Sequence, residues 1–161
     1  MTISSGDKLP GATLFIMSDE GPKAISTDDY FSRRKVALFA IPGAFTPTCA
    51  AQHIPSYLAN LEALKDKGVD AVACIAVNDP FVMQAQAEAA GAAGKVDFLS
   101  DGNGEFTKAI GLELDGSGIG LGTRSTRYAM LVDDGVVRAI FVEPDPGQMT
   151  VSSAENLLRN L

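Results

Sequence analysis

The chain has 161 residues with a formal net charge of −7; 46% of them are hydrophobic and 20% charged. That balance suits one ordinary domain, expected to span 1–161 with a sizeable core, and excludes a disordered chain. An acidic chain without a basic stripe argues against nucleic acid and anionic membrane surfaces as partners, because both are bound through clustered Lys and Arg.

"MTISSGDKLP" has neither the basic nor the apolar region of a signal peptide, and no apolar run approaches the roughly 20 residues of a membrane helix. The closing "RNL" is not a peroxisomal address. The expected location is the cytoplasm, where two cysteines stay reduced by default.

In chain order, "TLFIM" (Thr13–Met17) predicts a short strand and "SDEGP" a turn. "KVALFAI" (Lys35–Ile41) and "VDAVACIAVN" (Val69–Asn78) are nearly all apolar, as strands buried on both faces are. Between them, Ala51, Ile54, Leu58, Leu61 and Leu64 recur at helical spacing. The spacing predicts one helix of about five turns over Pro47–Gly68, kinked at Pro55 and stopped at Gly68. Strand, helix, strand is a crossover unit with parallel strands.

A second helix starts at Asp79 as N-cap with Pro80 at the first position. "VDFLSD" (Val96–Asp101) is a strand and "GEFTKAIGL" a short helix. "DGSGIGLGTRSTRY" carries glycines at 116, 118, 120 and 122 but does not open a helix after a strand, so it reads as a flexible surface loop rather than a phosphate cradle. "RYAMLVDDGVVRAIFVE" (Arg127–Glu143) is a hairpin turning at Asp134-Gly135, and "SSAENLLRNL" a last helix with a capping box from Ser152 to Glu155. The fold class is therefore α/β, a mixed central sheet covered by helices.

Cys49 lies just beyond the carboxyl end of a buried strand, where such folds place sites. With Thr46 as N-cap and Pro47 at the first helical position, its sulfur falls in the first turn of a helix. Free N–H groups and the positive end of the macrodipole favour a thiolate there. The competing reading is a buried structural thiol. Cys74, inside the apolar "AVACIAV", reads as core packing. There is no CxxC, which disfavours a dithiol reductase.

His53, the only histidine, shares a helix face with Cys49 at i, i+4. No further Cys–His pair completes a zinc site, so no metal is expected. From one turn further in, His53 is better placed to brace the loop before the helix than to serve as a base. Arg124 and Arg127 enter the last hairpin; an inward-pointing Arg127 needs an anionic partner, which a Cys49 thiolate supplies.

"PGAFTPTC" resembles the PxxxTxxC signature of peroxiredoxins, the thiol peroxidases of the thioredoxin-like superfamily. With "AAQHIPSY", "VNDPFVMQA", "GLELD", "GLGTRSTRYAMLVDDGVV" and "VEPDPG" in the same order, most of the chain is similar to the type-five subfamily. The resemblance implies a thioredoxin-like fold with helices on both faces of the sheet. Cys49 matches the peroxidatic cysteine, Thr46 the threonine that hydrogen-bonds thiolate and peroxide, and Pro42 the proline that shields the site from water. Arg127, rather than Arg124, matches the arginine that holds the thiolate and polarises the peroxide. His53 matches a supporting histidine, and the Cys49 N–H completes the donors.

Two positions depart from the family pattern. Val151 stands where some members carry a resolving cysteine, and Gln86 where many carry Trp. The resemblance thus implies a one-cysteine enzyme that reduces hydrogen peroxide and alkyl hydroperoxides without a cofactor. Glutathione or glutaredoxin is its expected reductant, and a homodimer its expected state. The alternatives are a peroxide sensor that passes oxidation to a partner protein, and a scaffold with an unreactive Cys49.

Overall fold

The structure is a computed structural model that describes residues 2–161. Its frame is a seven-stranded sheet in the order β2-β1-β5-β4-β3-β8-β9. The strands are β1 (Thr13–Ser18), β2 (Gly21–Ser26), β3 (Lys35–Ala40), β4 (Ala71–Ala76), β5 (Asp97–Ser100), β8 (Tyr128–Asp133) and β9 (Val136–Val142). The apolar runs become central strands: β4 is parallel to β3 and β5, and β8 is antiparallel to β3. This mixed sheet with helices flanking it is the expected α/β fold class.

Side chains alternate across β3. Val36, Leu38 and Ala40 pack with Tyr30 and Phe31 of α1 (Thr27–Phe31) and with Phe106 and Ile110 of α5 (Glu105–Ile110). Ala37 and Phe39 face the opposite side, toward α2 (Ile54–Ala59), α3 (Leu61–Asp66), α4 (Pro80–Ala89) and α6 (Ala154–Arg159). Cys49 belongs to this second core. The period of two in a β-strand thus decides which helix layer surrounds the sulfur.

Several local devices are as the sequence predicts. Asp79 caps α4 through Val82 N–H, with Pro80 first in the helix. Asp134 and Gly135 take φ of 49° and 79°, the paired positive values of a type I′ hairpin turn. Gly68 ends α3 at φ 88°, a left-handed stop that glycine adopts without strain.

Other expectations are corrected. The helix over 47–68 is not continuous. After an α-helical start at Pro47 and Thr48, Cys49–His53 form a π-helical turn closed by Ile54 N–H on the Cys49 carbonyl. Pro55 has no N–H to offer the Ala51 carbonyl and its ring crowds that turn, so the helix widens ahead of it. A second break follows at Asn60.

The N-cap of α6 is Ser153, which accepts from Asn156 N–H, because Ser152 is occupied with Glu143. The sequence shows no sign of β2, an exposed edge strand paired to β1, or of α1. The glycine-rich segment is a separate two-stranded ribbon of β6 (Glu113–Asp115) and β7 (Thr123–Ser125), not a loose loop.

Candidate active site

Cys49 is completely buried, in the first turn after β3. Thr46 carries the first intrahelical bond on its carbonyl, from Ala50 N–H at 3.0 Å. Its hydroxyl lies 2.8 Å from Cys49 Sγ and 2.7 Å from the Gly43 carbonyl. A hydroxyl has one proton, so it serves sulfur or carbonyl at any moment. When Cys49 holds a proton, the thiol can donate to Thr46 Oγ1 while Thr46 donates to Gly43; when sulfur is charged, the hydroxyl turns to it.

Gly43 is closely approached: a Cβ there would sit 2.8 Å from Arg124 Nη1 and 3.2 Å from the Thr46 methyl, so the arginine's end and the threonine would have to shift to admit one. Arg124 itself reaches toward the Pro42 carbonyl at 3.5 Å and the Leu121 carbonyl at 2.9 Å, not the sulfur.

Arg127 comes from the segment before β8 and is 1% exposed. Nη2 donates to Cys49 Sγ at 3.1 Å, Nη1 to His53 Nδ1 at 2.9 Å and Nε to the Pro146 carbonyl at 3.0 Å. None of these three acceptors is a carboxylate. A guanidinium stays protonated, and a buried unpaired charge is costly. The Cys49 sulfur is the acceptor that can carry the balancing negative charge.

His53 is fully buried beside Phe39 and Tyr57, whose rings stack at 4.1 Å. Because Arg127 can only donate, His53 Nδ1 is the acceptor and Nε2 carries the proton, which it gives to the Ser152 carbonyl at 3.0 Å. Burial, and then the Arg127 charge, push the imidazole down to about 3, so it stays neutral at physiological pH. His53 therefore braces Arg127 and the segment before α6, not the loop before its own helix, and has no lone pair left for the sulfur.

Behind Ser152 stands Glu143, which sequence reasoning misses. Its carboxylate accepts from the backbone N–H groups of Thr150, Val151 and Ser152 at 2.7–2.8 Å, and from the hydroxyls of Thr150 and Ser152. Burial pushes its carboxyl up, but the bonds from Ser152 and Thr150 outweigh this and hold it at about 2. The visible signal is a carboxylate just past the end of β9, at Glu143, followed by hydroxyl-rich "TVSS" seven residues on. Val151 lies in this pinned segment, and Cys74 is buried in β4; both cysteines are free.

A cavity of about 600 Å3 lies beside the site; Cys49, fully buried, is not among its lining residues. Thr46 and Arg127 touch both the sulfur and the cavity, and Pro42 forms part of its wall. Leu114, Ile119 and Leu121 of the glycine-rich ribbon make its far side apolar. Strands of three residues show no readable period, which is why the sequence hides this wall.

The site thus joins a helix-start sulfur to a hydroxyl and a buried cation beside an open cavity. The Redoxin family profile matches residues 4–158. Peroxiredoxin-2E, chloroplastic, from Arabidopsis thaliana is 47% identical over 99% of this chain and 70% of its own length. Among solved structures, reduced Prx3 in complex with H2O2 from Vibrio vulnificus is 46% identical with a TM-score of 0.93, covering 99% of both chains. Peroxiredoxin 5 from Alvinella pompejana is 39% identical with a TM-score of 0.86, covering 98% of this chain and 96% of its own. On this profile and these identities the chain belongs to the redoxin family, and within it to the peroxiredoxins, thiol-dependent peroxidases of the thioredoxin-like superfamily.

Proposed function

We propose that Cys49 is the peroxidatic nucleophile of a one-cysteine peroxidase acting on hydrogen peroxide and alkyl hydroperoxides. The observation that carries this is the buried Arg127 guanidinium 3.1 Å from Cys49 Sγ, with no carboxylate among its acceptors. The Cys49 thiolate attacks the terminal oxygen of ROOH; an S–O bond forms, the O–O bond breaks and RO⁻ leaves, to be protonated to alcohol or water. Thr46, Arg127 and the Cys49 N–H stabilise the oxygens as charge moves from sulfur to the leaving group. A low thiol pKa alone does not make a fast nucleophile, so these donors supply most of the acceleration.

The product is a Cys49 sulfenic acid. An external thiol attacks it, forming a mixed disulfide and releasing water; a second thiol frees Cys49 and leaves as the oxidised disulfide. Glutathione, alone or with glutaredoxin, is the proposed reductant. Val151 at the resolving position and the burial of Cys74 within β4 support this. Pro42 is the proposed water shield and His53 the support of Arg127.

A homodimer is proposed as well, supported by the large exposed side chains of Ile119 in the cavity wall, Phe45 in the loop before Thr46 and Phe81 at the start of α4. A reducing setting, the cytoplasm in the simplest case, fits two free cysteines. The test is peroxide consumption with glutathione, glutaredoxin and thioredoxin supplied separately. Turnover with glutathione or glutaredoxin is expected. Sustained turnover with thioredoxin alone, through a Cys49–Cys74 disulfide, contradicts the one-cysteine reading.

A further inference from the structure

Within the loop that carries Thr46, the bonds run from Thr46 to the Gly43 carbonyl, and the two residues between them are held from outside. Ala44 N–H donates to Asn78 Oδ1 at 2.9 Å, and Phe45 N–H donates to Gln86 Oε1 at 2.6 Å. Both acceptors belong to the neighbouring unit: Asn78 follows β4 and Gln86 lies in α4. Gln86 is buried on the inward stripe of that helix, beside Met83 and Ala87. It is the one polar side chain on that stripe.

Phe45 takes φ of 63°, in the left-handed region that a bulky residue rarely adopts, and the residue is 53% exposed. Little packing fixes this conformation, which costs of order 1 kcal/mol or more on its own. Its backbone N–H bond to Gln86 is therefore what holds it. The next residue is Thr46, whose hydroxyl must sit within hydrogen-bond reach of the sulfur.

We propose that Gln86 is a positioning residue of the peroxide step. Through Phe45 N–H it fixes the left-handed turn that aims the Thr46 hydroxyl at Cys49. This occupies the position where many peroxiredoxins carry Trp, a side chain that can donate but not accept; the chain thus secures its catalytic loop from α4 by an acceptor that an indole cannot supply. The proposal rests on the peroxidase function above, and the experiment separates the two.

The variants are Gln86→Met, similar in length without the acceptor, and Gln86→Glu, which keeps an acceptor at the same reach. Three quantities are read on the reduced full chain: the second-order rate with hydrogen peroxide by stopped flow, the alkylation rate of Cys49 by iodoacetamide, and exchange of the Phe45 amide by NMR. Gln86→Met is expected to slow the peroxide reaction about tenfold or more, since a small misplacement of a catalytic donor costs one to two orders of magnitude. Alkylation, which can lose the Thr46 bond to sulfur but no donor to a peroxide oxygen, falls by much less than the peroxide rate, and Phe45 amide exchange accelerates. Gln86→Glu stays within about threefold of the parent in the peroxide reaction.

A Gln86→Met protein within twofold of the parent overturns the proposal, as does a Gln86→Glu protein equally slow. Parallel loss of alkylation and peroxide rates overturns it too. Should Gln86→Met not fold, Phe45 amide exchange in the parent decides: protection supports the proposal, and exchange at the rate of an open loop overturns it. A parent chain that does not react with peroxide instead removes the peroxidase reading itself.

Discussion

Thr46→Val changes one donor while leaving shape and β-branching intact. The lost group is a hydroxyl 2.8 Å from Cys49 Sγ. A hydrogen bond to a charged acceptor contributes about 1.5–3 kcal/mol, or roughly 10- to 150-fold. If the same hydroxyl also follows charge onto the peroxide oxygen, the loss rises toward the 10²–10³-fold typical of an oxyanion-hole donor. The folded state loses little. The Gly43 carbonyl keeps the Thr46 N–H at 3.4 Å, so stability should fall by no more than about 1.5 kcal/mol.

The assay is stopped-flow oxidation of the reduced protein under excess hydrogen peroxide, with urea unfolding as the control. Thr46→Ser, which retains the hydroxyl, should keep most of the rate. Thr46→Val at more than a third of the parent rate, or Thr46→Ser as slow as Thr46→Val, refutes the assignment of that hydroxyl to the transition state.

Other expectations are equally specific. Arg127→Met should lower the peroxide rate by about 10²–10³-fold, yet shift stability by only a few kcal/mol, because replacing a buried charge with an apolar side chain offsets the acceptors it leaves; equal kinetics in stopped flow would remove Arg127 from the chemistry. Acid should weaken the fold in two stages. His53 is held at about 3 against 6.5 in the unfolded chain, and Glu143 at about 2 against 4.5. Both depressed groups leave the unfolded state binding more protons, so stability falls as pH drops below about 6.5 and more steeply below about 4.5. His53 is the only histidine, so its substitution by Gln should flatten urea midpoints between pH 6.5 and 5. The buried Tyr128 hydroxyl has no protein partner among the described residues; Tyr128→Phe should raise stability by about 1 kcal/mol in urea unfolding, and a loss above 1 kcal/mol contradicts this.

Much of the frame was legible because it obeys local rules. Continuous apolar runs identified β3 and β4, Asp79-Pro80 marked the start of α4, and Asp134-Gly135 marked the last turn. What stayed hidden depends on contacts that no local pattern announces. The edge strand β2, "GPKAIS", has no buried residue and carries no alternation. The π-helical turn arises where Pro55 meets a helix already fixed at Cys49. Ser152 looked like a cap, but Glu143 claims it from nine residues away.

The site divides the same way. The helix-start position of Cys49 and the inward Arg127 were readable from "PGAFTPTC" and the strand-opening arginine. The direction in which His53 works was not, since Ser152 lies 99 residues from it. Nor was the role of Gln86, because a glutamine on a helical stripe does not announce which backbone it meets.

The decisive measurement is the site and stoichiometry of the first oxidation. The fully reduced chain is treated with one equivalent of hydrogen peroxide, trapped with a sulfenic-acid reagent such as dimedone, and mapped by mass spectrometry beside Cys49→Ser and Cys74→Ser proteins. One adduct per chain at Cys49 is expected, unchanged in Cys74→Ser and absent in Cys49→Ser. Adducts at Cys74 in the parent, or peroxide consumption that survives in Cys49→Ser, would contradict the pairing of Cys49 with Arg127 as the reacting centre.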